Sequence, residues 1–336
     1  MVRNYRSAKL PRQPGTALVL QIQLGYTQPM AVKRLPDWLT IRVPRPDTIK
    51  HVEQMMRGKN LHTVCESARC PNLPECWSKK TATFMILGDT CTRSCGFCAI
   101  KVGRGEEIDI FEPANVAKAT EELGLKHVVV TSVARDDLPD QGAEQFASTV
   151  RAIHRRQPDV IVEILTPDFR GREDLIRLVC ESHPEIYNHN IETIERLHTI
   201  VRPSAKYART MQLLKFVKEV DPTIYTKSGL MLGLGETKDE VVQTLKDLRS
   251  HDVDAVTIGQ YLRPTMKHLP VVEYVHPDVF AEYETIGAEL GFAFVASGPF
   301  IRSSYNAIAF SEKVMKERLD RLDAKAAKLN ALPMVD

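Results

Sequence analysis

Six of the seven cysteines fall between residues 65 and 98, in two triplets: Cys65, Cys70 and Cys76, then Cys91, Cys95 and Cys98. The first triplet has the spacing C-x4-C-x5-C and the second C-x3-C-x2-C. Clustered thiols in an intracellular chain of this size point to metal ligation rather than disulfides, because cytosolic thiols are held reduced. Three thiolates at each site can hold three irons of a four-iron cluster, and each cluster then needs one further ligand that the neighbouring residues do not provide. Zinc is the competing metal, but zinc knots favour paired C-x2-C units and would leave two of these six thiols idle. The seventh, Cys180, stands among apolar residues in a predicted helix and reads as a buried structural thiol.

The residues around the triplets must hold them. CESARCPNLPEC, residues 65–76, has two prolines and no helical or strand period, so it is expected to be an irregular loop. Beyond it, short β-branched runs alternate with amphipathic segments, as in a parallel βα repeat. Strands are expected at TATFMIL (81–87), HVVVTSV (127–133), VIVEIL (160–165), EIYNHN (185–190), TIYTKSGLML (223–232) and AVTIGQYL (255–262), with helices between them. Six strand–helix units predict an α/β fold, an incomplete (β/α)6 TIM-type barrel, with chemistry at the C-terminal ends of the strands. CTRSCGFC (91–98) follows the first strand directly, as that placement requires.

Four regions follow: a leader at 1–34, an N-terminal extension carrying the first cysteine loop at 35–80, the barrel core at 81–275, and a C-terminal extension at 276–336. In the last, a helix at 276–291 and the strand and turn GFAFVASGPF precede a charged helix near 311–330, expected to be a solvated cap. The 336 residues carry 45 basic and 43 acidic side chains, a net charge of +2, which gives no broad electrostatic case for nucleic acid. No apolar run approaches the roughly 20 residues needed to cross a bilayer, so no membrane partner is expected and the cytoplasm is the expected location. The acid-free leader partly resembles an organellar transit peptide, which makes an organelle the alternative; a disordered leader, or a true start at Met30, is the reading preferred over targeting.

The C-x3-C-x2-C loop, with Phe97 just before its last thiol, resembles the defining loop of the radical S-adenosylmethionine (SAM) superfamily. The C-x4-C-x5-C triplet, together with LHTVC, CPNLPECW and TATFMILGD, resembles the lipoyl synthase family within it. The resemblance runs from about Leu35 to Ala307. It implies two 4Fe-4S clusters: a radical-generating one on Cys91, Cys95 and Cys98, whose fourth iron takes SAM, and an auxiliary one on Cys65, Cys70 and Cys76. The auxiliary cluster's remaining ligand is implied to be Ser304, the second serine of an Arg302-Ser303-Ser304-Tyr305 motif. An oxygen ligand on an iron–sulfur unit is more labile than a thiolate, which suits a cluster consumed as sulfur donor.

The same resemblance implies SAM contacts from Phe97, from Thr131 and Ser132 in TSVARDD, from Asn190 and Glu192 in NHNIE as ribose partners, and from Gly229, Gly233 and Glu236 in GLMLGLGE. His189 reads as a core histidine rather than a metal ligand. Arg202, Lys227 and the run GQYLRPTMKHLPV (259–271) are expected along the substrate channel, with Arg263, Lys267 and His268 facing an acidic carrier protein. The implied activity is insertion of two sulfurs, at C6 and C8, into a protein-bound octanoyl chain. The implied partners are an octanoylated lipoyl carrier (2-oxoacid dehydrogenase E2 subunits or the glycine cleavage H protein), an electron donor such as ferredoxin or flavodoxin, and an iron–sulfur carrier. Gln141, standing where the family has glycine, and the extended C-terminal helix are local departures.

Overall fold

Alternation between β-branched runs and amphipathic segments produces a parallel sheet backed by helices. The computed structural model describes residues 35–40, 46–78 and 83–304, with positions 310, 314 and 316, and the elements below belong to the unit Pro36–Asp336. The leader at 1–34 lies outside the described residues.

In chain order these are α1 (Pro46–Gly58), β1 (His62–Thr63), α2 (Val64–Ser67), α3 (Leu73–Ser78), β2 (Thr83–Ile86), β3 (Thr90–Cys91), β4 (Lys101–Val102), α4 (Glu112–Leu123), β5 (His127–Ser132) and α5 (Ala143–Arg156). Then follow β6 (Ile161–Leu165), α6 (Glu173–Cys180), β7 (Ile186–Asn188), α7 (His198–Val201), α8 (Tyr207–Val220), β8 (Tyr225–Leu232), α9 (Lys238–Ser250), β9 (Ala255–Gln260), α10 (Pro277–Glu289) and β10 (Phe294–Gly298). The main sheet has the order β1-β2-β5-β6-β7-β8-β9-β10. Its strands run parallel except β1, which joins β2 antiparallel. Among the described residues the end strands do not pair, so the sheet stays open, as an incomplete barrel requires.

Local chemistry sets the helix ends. Pro113 occupies the first turn of α4, where its missing N–H costs nothing, and Gly124 at φ 65° closes that helix. Thr237 and Glu240 form a reciprocal capping box at the start of α9. Phe146, Val150 and Ile153 repeat along one face of α5 and are fully buried in the core.

Two expectations about the segments flanking the core fail. The first cysteine loop is not irregular throughout: it contains α2 and α3. Thr63 caps α2 by accepting from the Glu66 amide, and Pro74 enters α3 in its first turn, so one-turn helices form where no hydrophobic period marks them. Nor is the terminal segment simply a solvated cap. Phe310 and Val314 are buried, with Phe310 stacked on Phe294 and edge-on to Tyr225, in an apolar cluster with Ile161, Ile186 and Ala255 at the N-terminal ends of the strands. The rest of that helix lies outside the described residues, apart from exposed Lys316.

Inside the sheet, Lys227 of β8 is 1% exposed and pairs with Glu163 of β6 at 2.9 Å, while Asn188 of β7 donates to the same carboxylate at 2.9 Å and His127 of β5 lies 3.3 Å away. Lys227 therefore belongs to the sealed interior rather than to a channel. Burial alone would raise the Glu163 carboxyl; Lys227 and His127 outweigh it and hold the pKa at about 2. With the folded pKa depressed, this stabilisation is complete above the unfolded carboxylate's pKa and is lost as pH falls toward about 2. Lys227→Met strands the carboxylate and is expected to cost about 3–5 kcal/mol in denaturant unfolding of the metal-free chain; a cost below about 1 kcal/mol is what a solvated pair would show.

Candidate functional site

The later cysteine loop leaves β2 through Leu87 and Gly88, both at positive φ, and is clasped at its base by the parallel β3–β4 pair. Cys91 Sγ accepts from the amides of Arg93 at 3.4 Å and Ala134 at 3.3 Å. Gly96 donates to Val201 and accepts from Leu269, and the His268 ring lies 3.0 Å from the Cys98 carbonyl. A side chain at Gly96 would meet the Leu269 side chain at 2.9 Å, so glycine lets that leucine pack closely against the loop. Phe97 packs against the core. Burial pushes the Cys98 thiol up to about 12, with Cys95 and Cys91 adding to the shift. Burial also raises Cys95, against the pull of Arg202.

Thiolates so placed need compensating positive charge. Among the described residues no three His, Cys, Asp or Glu side chains converge to hold a single ion, the geometry a zinc knot requires. A four-iron cluster instead takes its thiolates on separate irons. Three mutually interacting thiols on one loop, with two backbone N–H groups aimed at one sulfur, fit that group. Ser132 Oγ and Arg202 Nε are buried without a protein partner, leaving a hydroxyl and a guanidinium N–H for a polar ligand beside the loop.

A buried ion network fixes this loop to the strand ends. Arg93, between the first two thiols of C-x3-C, bonds both oxygens of Asp136 at 2.7 Å and pairs with Asp168 at 2.7 Å. Asp168 also takes Arg209 at 2.8 Å and caps the turn at Arg170. Burial opposes ionisation of Asp168, but Arg93 above all holds its carboxyl well below the usual range. This network went unread in the sequence. Its one signal was an arginine between two cysteines of the later triplet, with aspartates just after two strands.

The earlier triplet is built on its two short helices. Cys65 is buried, and burial raises its thiol to about 11 against hydrogen bonding from Thr83. The Cys70 amide donates to the Cys65 carbonyl at 2.9 Å, and Cys76 donates to Asn72. The Asn72 side chain reaches the Phe300 carbonyl at 2.7 Å, tying this loop to the C-terminal segment. Arg302 interacts electrostatically with both Cys70 and Glu192.

The remaining predicted residues divide. Asn190 and Glu192 come together just beyond β7, with the Asn190 amide donating to Glu192 at 3.0 Å. Arg202 donates to the Asn190 carbonyl at 2.5 Å, and Gly229 lies against both Asn190 and Ser303. Ser132 ends β5 at the same edge of the sheet, but the Thr131 hydroxyl is taken up by the Leu165 carbonyl at 2.9 Å. Gly233 and Glu236 shape the turn after β8, where the Glu236 carboxylate accepts from the amides of Gly233 and Leu234. His189 is a core histidine, bonded through both ring nitrogens to Thr166 and Thr210; burial, then Arg202, lowers its pKa to about 4. Cys180 is buried on α6. Arg263 is spent on its own loop, donating to the carbonyls of Met266 and His268, while Lys267 is exposed. Ser304 follows Ser303 in the same turn, and Tyr305 lies outside the described residues. A cavity of about 160 Å³ lined by His183, Asp221, Tyr225 and Val314 lies at the opposite end of the strands and contains no cysteine.

Residues 85–248 match the radical SAM superfamily, and residues 21–70 match the N-terminal domain of lipoyl synthase of the radical SAM family. Over 272 residues the chain is 56% identical to a lipoyl synthase of Rubrobacter xylanophilus, covering 81% of this chain and 85% of that one. It is 52% identical over 295 residues to a lipoyl synthase of Halalkalibacterium halodurans, covering 88% and 96%. In fold it is similar to Streptococcus suis SuiB bound to S-adenosylmethionine, at TM-score 0.51 and 11% identity over 68% of this chain and 54% of that one. No helix among the described residues is long and apolar enough to cross a membrane.

If the Arg93 network holds the cysteine loop, Arg93→Ala should speed amide hydrogen exchange across residues 92–98 of the metal-free chain by about ten-fold or more. Arg170→Ala, which removes an exposed contact to Asp136, should leave that segment unchanged. Equal protection in both variants would mean that the loop is held by its backbone bonds alone.

Proposed function

This chain belongs to the lipoyl synthase family of radical SAM enzymes, and from that premise we propose that it inserts two sulfur atoms, at C6 and C8, into an octanoyl chain amide-linked to a lysine of a carrier protein, with an auxiliary cluster on Cys65, Cys70, Cys76 and Ser304 as the sulfur source. SAM and one 4Fe-4S cluster follow from the family; the second cluster belongs to this reading. The observation that carries it is the meeting of both cysteine loops with one C-terminal segment: Phe300 bonds the first loop through Asn72, while Ser303 bonds Asn190 beside the second.

When bound, the cluster on the later triplet supplies the electron that cleaves SAM to a 5'-deoxyadenosyl radical, and the auxiliary cluster supplies sulfide. The chain's own task is placement. A primary radical attacks any nearby C–H bond, so the substrate carbon must be held close with water excluded. Arg93 and Arg202 offset the charge of the thiolates, Asn190 and Glu192 hold the ribose of SAM, and Ser132 and Arg202 supply further polar contacts. The buried Lys227–Glu163 pair lies in the interior below. Lys267 on the rim meets the acidic carrier, while ferredoxin or flavodoxin supplies electrons and an iron–sulfur carrier rebuilds the auxiliary site. The seven free cysteines suit a reducing compartment, which we take to be the cytoplasm.

Another radical SAM sulfur inserter would share the C-x3-C-x2-C loop without needing Ser304 or the C-x4-C-x5-C triplet. Anaerobic reconstitution should yield about eight irons per chain, and about four in Cys65→Ala; a count unchanged by that substitution would rule out the second cluster. With octanoylated carrier, SAM and reductant, the reconstituted protein should form lipoyl product. SAM cleavage without sulfur in the product would favour the other class.

A further inference from the structure

Ser303 donates its hydroxyl to Asn190 Oδ1 at 2.8 Å, across 113 positions of sequence. The other end of that amide, Nδ2, donates to Glu192 Oε1 at 3.0 Å. An amide offers an acceptor at one end and donors at the other. With the acceptor engaged by Ser303, the donors face the Glu192 carboxylate.

The backbone around this pair is held independently. Arg202 grips the Asn190 carbonyl, the Glu192 amide bonds Gly229, and the Met231 amide bonds Glu192. What the backbone leaves free is the rotation of the Asn190 side chain, and Ser303 contacts that side chain directly. Gly229 completes the contact. A methyl group there would lie 2.7 Å from Ser303 Oγ and 2.9 Å from Asn190 Oδ1, so the glycine in this strand admits the serine–asparagine pair.

We propose that Ser303 is a positioning residue for SAM, holding the Asn190 amide so that it and Glu192 are preset for the ribose hydroxyls, while Ser304 serves the auxiliary triplet. This rests on the reading of Asn190 and Glu192 as ribose contacts. It places one arm of the C-terminal motif at each half of the site, so the segment that completes one cluster also sets the cosubstrate of the other.

The test is SAM affinity of the reconstituted full chain, by anaerobic equilibrium dialysis with labelled SAM, alongside iron content. Removing one neutral hydrogen bond in Ser303→Ala should weaken SAM about five-fold with iron content unchanged. Asn190→Ala should weaken SAM at least as much, and the double variant Ser303→Ala/Asn190→Ala should bind no more weakly than Asn190→Ala alone, because the serine acts through the asparagine. Wild-type affinity in Ser303→Ala, additive losses in the double variant, or loss of iron in Ser303→Ala would each overturn the proposal, the last by making Ser303 the cluster ligand. Wild-type affinity in Asn190→Ala is a distinct result: it removes the ribose assignment, and the proposal with it.

Discussion

After its last strand the chain turns back against the sheet, and only the absence of side chains on two neighbouring strands allows it to do so. A Cβ on Gly259 of β9 would overlap the Ile301 carbonyl, and one on Gly229 of β8 would press on Ser303. From there the chain continues to Phe310, packed among the N-terminal ends of the strands. This return path sets the rest of the site. It brings Phe300 to the first cysteine loop, Ser303 to the end of β7, and Arg302 within electrostatic reach of Cys70 and Glu192. The first cysteine loop and the segment after β10 thereby meet.

Charge is the second constraint. Buried thiols resist ionisation, as the raised pKa values of Cys65 and Cys98 show, and Glu192 adds negative charge beside Cys95 and Cys98. Arginine supplies the counter-charge: Arg202 near Cys95 and Glu192, Arg302 near Glu192 and Cys70, and Arg93 inside the loop itself. Arginine suits this task because its planar guanidinium stays charged and bonds carboxylates through two N–H groups. At Arg93 the bidentate pairing with Asp136 turns a charge requirement into a geometric one. The Lys227–Glu163 pair does the same deeper in the sheet, where an unpaired carboxylate would be costly.

How much of this was legible follows from the range of each interaction. Periodicity is local, so five of the six predicted core strands begin within two residues of their place, and the first, whose start lies outside the described residues, covers β2. Cysteine spacing is local too, and the thiols of the later triplet do sit within electrostatic reach of one another. One-turn helices such as α2 and α3 depend on a cap and a proline rather than a period, and so were missed. The burial of Phe310 and Val314 was hidden because a charged helix with an apolar stripe reads the same whether the stripe meets solvent or the strand ends. Arg93 with Asp168, and Ser303 with Asn190, are separated by long stretches of chain, and nothing in either partner's surroundings names the other. The glycines of GLMLGLGE illustrate the same limit: their presence was legible, while Gly229's neighbour, the distant Ser303, was not.

The central claim is that the two cysteine triplets do different work, one generating a radical and the other giving up sulfur. The most direct measurement is a single-turnover reaction of holoenzyme whose clusters have been rebuilt with isotopically heavy sulfide, run with octanoylated carrier and SAM and no added sulfide, with the product read by mass spectrometry. Heavy isotope at both sulfurs of the lipoyl product is predicted, with no lipoyl product from Cys76→Ala. Light sulfur in the product, or a heavy product still formed by Cys76→Ala, would contradict the account.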